Sequence, residues 1–160
     1  QIIKTFKDQI NNFYFRIHPS TKGYDKVKKN IELDFGKGKV DETKDFEDII
    51  NKYKLIVDTC PETTYARCFT SGVPTILLYK KIESINVHKD IIDLFNKMKK
   101  NNLVFEEFES SELILNKILK DPFLWWNSKK ILILRKKYSK LCCMTTNNDL
   151  IIWKNFFKNL

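Results

Sequence analysis

Two short apolar runs, Leu55-Ile56-Val57 and Thr75-Ile76-Leu77-Leu78-Tyr79, bracket the most regular stretch of the chain. Between them lie a polar elbow, Thr59-Cys60-Pro61-Glu62-Thr63-Thr64, and three apolar residues at helical spacing, Tyr65, Cys68 and Phe69. Gly72 stops that helix, and Pro74 stands where a helix cannot continue. Strand, elbow, helix and strand in so few residues predict a βαβ unit, the building block of a parallel sheet. Both runs are almost unbroken in apolar character, as strands covered on both faces would be.

The flanking pattern extends this picture. Ile2, Ile3, Phe6 and Ile10 give residues 1–12 the face of a short helix. Phe13 to Ile17 is β-prone apart from Arg16 and reads as a strand. It runs into the loop His18-Pro19-Ser20-Thr21-Lys22-Gly23-Tyr24. Asp25 to Asp34 fits a short helix, with Val27, Ile31 and Phe35 at helical spacing, or an irregular segment. Gly36-Lys37-Gly38-Lys39 is a turn that lacks the GxGxxG spacing of a dinucleotide site, and Val40 fits a brief strand. Thr43 or Asp45 would cap a helix over Phe46, Ile49, Ile50 and Tyr53.

Beyond Tyr79, a polar loop leads to a helix from Asp90 to Lys100, with the face Ile91, Leu94, Phe95 and Met98, stopped by Asn101-Asn102. His88 is expected to face solvent without a role. Leu103 to Phe108 reads as a short strand, and Ser110 or Ser111 as the cap of a helix over Leu113, Ile114, Lys117 and Ile118. Asp121 to Ser128 breaks that helix and starts another, Lys129 to Leu141, carrying Leu132, Leu134, Arg135, Tyr138 and Leu141. A last helix, Leu150 to Leu160, would bear Trp153, Phe156, Phe157 and Leu160. The aromatic pairs read as packing rather than as a sugar platform. The expected fold is α/β: a parallel sheet flanked by helices, with a helical carboxyl-terminal tail.

Composition sharpens this less than pattern does. The chain has 160 residues, the size of an ordinary domain, and 29 basic residues against 20 acidic ones, a net charge of +9. Arg16, Arg67 and Arg135 are its three arginines; every other cation is a lysine, a solvated point charge. The excess fits a soluble lysine surface, or attraction to anionic inner-membrane lipids, a nucleotide-linked donor or nucleic acid. With no recognition motif and no arginine-rich patch, nucleic acid is the least favoured of these. Cys60, Cys68, Cys142 and Cys143 form no CxxC pair, and there are two His, so no metal site is expected. Such cysteine usage fits a reducing cytoplasm, with or without peripheral attachment at the inner membrane. No run approaches a membrane span, no signal peptide is evident, and the start at Gln1 inside a helical pattern suggests part of a longer protein.

The candidate chemistry sits in the two elbows. In open parallel sheets ligands gather beyond the carboxyl ends of strands. Thr63 and Thr64 open a helix whose free N–H groups and positive dipole end favour an anion, although Thr63 would equally serve as a plain cap. His18 would donate to a phosphate oxygen or act as a structural hydrogen-bonder. If both strands are parallel, residues 18–24 and 59–64 share one edge of one sheet.

Three motifs in order, HPSxxGY from His18, LIVDTxxxTTYxxxFxxGVPTILLY from Leu55, and DPFLWWNSxxIxxxRKKYSKL from Asp121 with the later Trp153, resemble one family. The chain from Phe13 to Leu160 looks like the carboxyl-terminal half of the surface-carbohydrate transferases first noted in spirochaetes, which are glycosyltransferase-B-like proteins with two Rossmann-type domains. The His-Pro and Thr-Thr pairs are also similar to motifs of bacterial sialyl- and capsule-sugar transferases that contact the phosphate of a nucleotide sugar. The resemblance implies a Rossmann-like donor-binding domain over residues 1–126, with helices packing on it over 127–160. It implies donor phosphate at His18, Pro19, Ser20, Thr63 and Thr64, with His18 the best candidate for stabilising the leaving phosphate. Tyr24, Arg67 and Cys68 would lie toward the donor ribose or base. Cys68 stands where such families often place an acidic residue, and a thiol is a poor acceptor for ribose hydroxyls, which leaves a non-catalytic anion- or partner-binding module as the alternative. The resemblance implies a nucleotide-sugar donor and no other cofactor. An amino-terminal domain would supply the catalytic base, so this chain alone should not turn over.

Overall fold

The structure, a computed structural model, describes residues 11–50, 52–79, 88–106 and 112–143. The expected loop at 80–87, the last helix at 150–160, the caps at Ser110 and Ser111, and all but the end of the helix over 1–12 lie outside the described residues. The chain divides into two compact units, Gln1–Lys52 and Tyr53–Leu160.

The second unit is α/β. Strand β1 (Ile56–Asp58) leads through the elbow to helix α3 (Thr63–Ser71) and strand β2 (Thr75–Leu78), and helix α4 (Lys89–Lys100) leads to strand β3 (Val104–Phe105). The first unit contributes helices α1 (Tyr24–Phe35) and α2 (Phe46–Ile50) ahead of these, and helices α5 (Glu112–Lys120), α6 (Pro122–Trp126) and α7 (Lys129–Cys142) follow. The three strands form one parallel sheet in the order β1-β2-β3. Ile56 pairs with Thr75 and Asp58 with Leu77, while Leu77 and Leu78 pair with Val104 and Phe105. The βαβ unit read from the pattern is therefore present, and a second crossover through α4 extends it.

Packing explains why these segments hold. Tyr65, Cys68 and Phe69 of α3 are buried to within one per cent of completely. They join Leu94, Phe95 and Met98 of α4, Ile131, Leu134 and Tyr138 of α7, Trp126, and Leu77 and Val104 of the sheet in one core. Its rings meet edge-on or tilted: Phe69 lies 5.1 Å from Trp126 and 4.7 Å from Tyr138. Gly72 ends α3 at φ 83°, a left-handed conformation that a side chain resists. Asn102 stops α4 in the same region, at φ 62°, where asparagine is tolerated better than most residues.

The DPFLWWN segment is structural. Asp121 accepts the Leu124 N–H at 2.9 Å and caps α6, Pro122 fills its first turn, and Trp126 is fully buried. Arg135 lies over the Trp126 ring at 4.3 Å.

Three expectations are corrected. Phe13–Ile17 is no strand; Phe15 makes a single parallel bridge to Val40, outside the three-stranded sheet. Pairing stops there because Asp41 turns its carboxylate back onto the Thr43 N–H and hydroxyl, at 2.9 and 2.6 Å, and bends the partner segment away. The helix over Phe46 ends at Ile50, short of Tyr53. On α5 and α7 the buried residues are Leu115 and Ile118, and Ile131, Leu134 and Tyr138, whereas Leu113, Leu132 and Leu141 are exposed. Apolar residues occur at several registers of both helices, so spacing alone admits more than one inner face.

Candidate functional site

In the second unit, β1 delivers the chain to its carboxyl end at Asp58, and the elbow turns it into α3. Asp58 Oδ1 accepts the Cys60 N–H at 3.0 Å, which closes the first bend. Glu62 occupies the position before the helix without a side-chain cap, so Thr63 is the first helical residue rather than the cap. The first helical bond runs from the Ala66 N–H to the Glu62 carbonyl, at 3.1 Å. The amides of Thr63, Thr64 and Tyr65 precede it and have no partner within the helix. Thr63, Thr64 and Arg67 are exposed on one flank of α3, so two hydroxyls, a guanidinium and a helix start share a surface. Cys68 points the other way. It is fully buried, and burial first, then the Asp58 charge, pushes its thiol up to about 12. Cys68 thus lies on the buried side of α3, apart from the exposed flank that carries Thr63, Thr64 and Arg67.

Asp58 closes the apolar run Leu55-Ile56-Val57. Burial pushes its carboxyl up, and the Cys60 and Thr59 amides offset part of that. Its Oδ2 is buried and, like the Tyr65 hydroxyl, finds no hydrogen-bond partner among the described residues. Burial also raises the Tyr65 phenol well above its ordinary range, with smaller contributions from Tyr138 and Asp58. The signal for this residue was in the sequence: a carboxylate closing an apolar run, next to a hydroxyl-rich elbow at a strand's carboxyl end.

In the first unit, the Thr21 N–H donates to the His18 carbonyl at 2.9 Å, closing a turn over Pro19 and Ser20. The Ser20 N–H donates to His18 Nδ1 at 3.2 Å. The neutral imidazole consequently carries its proton on Nε2, on an exposed side chain. Pro19 and Tyr24 lie with Arg16, Ile17, Asp41, Glu42, Thr43 and Lys44 around an open cavity of about 480 Å³. That volume is in the range of small-ligand sites. Arg16 braces one wall through the Thr43 and Lys44 carbonyls, at 2.5 and 3.2 Å, and Lys28 pairs with Glu42 at 2.6 Å.

Each unit thus gathers its own share of the expected residues: His18, Pro19, Ser20 and Tyr24 in one, Thr63, Thr64 and Arg67 in the other. Among the described residues no cluster of His, Cys, Asp or Glu could hold a metal ion, and no helix is long and apolar enough to cross a membrane.

Comparison with curated proteins and with solved structures finds no match. The family described as LIC12162 family transferase matches residues 2–157, nearly the whole chain, and that span includes both elbows and all three strands. The chain belongs to the LIC12162 family of transferases.

Proposed function

We propose that this chain is the donor-binding half of a nucleotide-sugar-dependent glycosyltransferase of GT-B architecture, serving cell-surface polysaccharide synthesis. The observation that supports it most is the start of α3. An uncapped helix opens beyond the carboxyl end of a parallel strand and presents two exposed threonines beside Arg67. A departing nucleoside diphosphate gathers negative charge as the glycosidic bond breaks. Preorganised amides and hydroxyls that meet that charge lower the barrier without reorganising. Within the second unit, Arg67 adds a cation beside the two threonines. Within the first unit, His18 Nε2–H and the Ser20 turn offer further donors to an anion, and Pro19 and Tyr24 line the cavity beside them. The acceptor's base is assigned to the other half of the enzyme.

Titration with uridine diphosphate, followed by amide NMR, tests this directly. The expected result is saturable shifts at Thr63, Thr64 and Ser20. Replacing Thr63→Val and Thr64→Val should each weaken binding about tenfold, the loss of one hydrogen bond to a charged group. Saturation with no change at these amides, or unchanged affinity in both variants, overturns the reading.

A further inference from the structure

We propose that the outward face of α5, α6 and α7 docks on an anionic lipid bilayer. This surface lies away from the α3 elbow residues in sequence and does not depend on the donor-site reading. It is carried by two features that coincide. The first is exposed aliphatic and aromatic surface. Leu113 is 82% exposed and Leu124 is 72% exposed, and Phe123, Ile133, Leu132 and Leu141 are also open to solvent. Scattered apolar residues are ordinary on a protein surface. Here they fall on three consecutive helices, with α5 packed on α6 and α6 on α7.

The second feature is charge. Between Glu112 and Cys143 stand eight basic residues and two acidic ones, giving this fifth of the chain six of its nine net positive charges. The lysines are interleaved with the apolar residues along the exposed sides of α5 and α7. On α7, Lys129, Ile133, Lys136 and Lys140 follow one another at i, i+4, i+7 and i+11, so they line one exposed stripe. On α5, Leu113, Lys117 and Lys120 do the same at i, i+4 and i+7. The opposite sides of both helices are already committed to the core through Leu115, Ile118, Ile131, Leu134 and Tyr138.

Exposed apolar side chains interleaved with lysines match the boundary of an anionic bilayer. Aliphatic groups enter the acyl boundary, while lysine stems extend their ammonium groups to the headgroups. Other occupants fit less well. Protein interfaces are depleted in lysine and favour arginine. Nucleic-acid interfaces are polar as well as basic, and open leucines add nothing to phosphate contact.

Co-sedimentation of the chain with vesicles decides the matter, comparing phosphatidylcholine alone with phosphatidylcholine containing phosphatidylglycerol. Binding is expected only with the anionic lipid, and it should weaken as salt rises. Lys129→Gln, Lys136→Gln and Lys140→Gln should each lower the partition coefficient about fivefold. Leu113→Ser together with Leu124→Ser should lower it about tenfold. Thermal melts confirm that these exposed changes leave the fold intact. The proposal is overturned by equal binding to neutral vesicles, by no vesicle binding at all, or by binding that the leucine pair leaves unchanged. Salt-sensitive capture of a DNA duplex without vesicle binding overturns it as well, and assigns the face to nucleic acid.

Discussion

Two aspartates end extended segments in this chain, and they are treated in opposite ways. Asp41 in the first unit is nine per cent exposed, and its carboxylate is fully engaged: the Thr43 amide and hydroxyl hold Oδ1, and Lys52 meets Oδ2 at 3.1 Å. Asp58 in the second unit is half-buried, yet its buried Oδ2 has no partner among the described residues. A buried carboxylate with its bonds made organises the loop around it; one with a lone oxygen costs stability. The contrast follows the construction of the units. Among its described residues the first has one bridge and no strand ladder, and polar bonds centred on Asp41 hold the segment after that bridge. The second has a parallel sheet and an aromatic core, which can support an unfavourable group at its rim.

The strongest way to break that contrast is to remove the core that supports Asp58. Trp126 is fully buried, stacked under Arg135 and edge-on to Phe69. Trp126→Ala should destabilise the second unit by about 3–5 kcal/mol, measured by urea unfolding followed in far-ultraviolet circular dichroism. A loss under about 1 kcal/mol would mean that the aromatic core is not what holds this unit together. Next in size is Asp41→Ala, expected to cost roughly 1–3 kcal/mol because it leaves the Thr43 amide and hydroxyl without their acceptor. Amide exchange at residues 41–46 should rise in that variant while residues 63–71 stay protected. Uniform loss of protection across both segments would show that Asp41 is not a local organiser.

How far this could be read from sequence depends on how many independent signals met at each place. The stretch from Leu55 to Tyr79 was legible because period, breaker residues and apolar runs agreed, and Gly72 adopts the left-handed turn its position required. Asn101-Asn102 was legible for the same reason. Phe13–Ile17 misled because a strand needs a partner of similar length. Its partner is cut to Val40 by the Asp41 turn, an interaction between side chain and backbone that periodicity does not register. The inner faces of α5 and α7 misled because leucine and isoleucine occupy several registers, and only the neighbours decide which are buried. At the site, the shared face of Tyr65, Cys68 and Phe69 was legible from spacing alone, and all three are buried. The position of Asp58 at the end of an apolar run was legible in the sequence, but the oxygen left without a partner needed coordinates.

The smallest expected effect, and the one with the reverse sign, comes from Asp58→Asn. Folding withdraws the Asp58 carboxyl from water, so its pKa in the folded chain lies above the ordinary value of 3.8. The folded state therefore holds the proton more tightly than the unfolded state. This contribution to stability is fully present below 3.8 and is lost as pH rises through the higher folded value. Above that folded value the wild-type chain carries the penalty of ionising a carboxyl withdrawn from water. Asparagine cannot ionise, yet its carbonyl can still accept the Cys60 N–H. Asp58→Asn should therefore melt slightly higher than wild type at neutral pH, and the advantage should close as the solution is acidified below 3.8. Asp41→Asn should show no such gain, because its ionised carboxylate faces Lys52 and two Thr43 donors. An Asp58 variant that melts lower than wild type at neutral pH would mean that the ionised carboxylate has found a favourable partner. The two aspartates would then belong to one class, and the separation between an organising carboxylate and a tolerated one would fall.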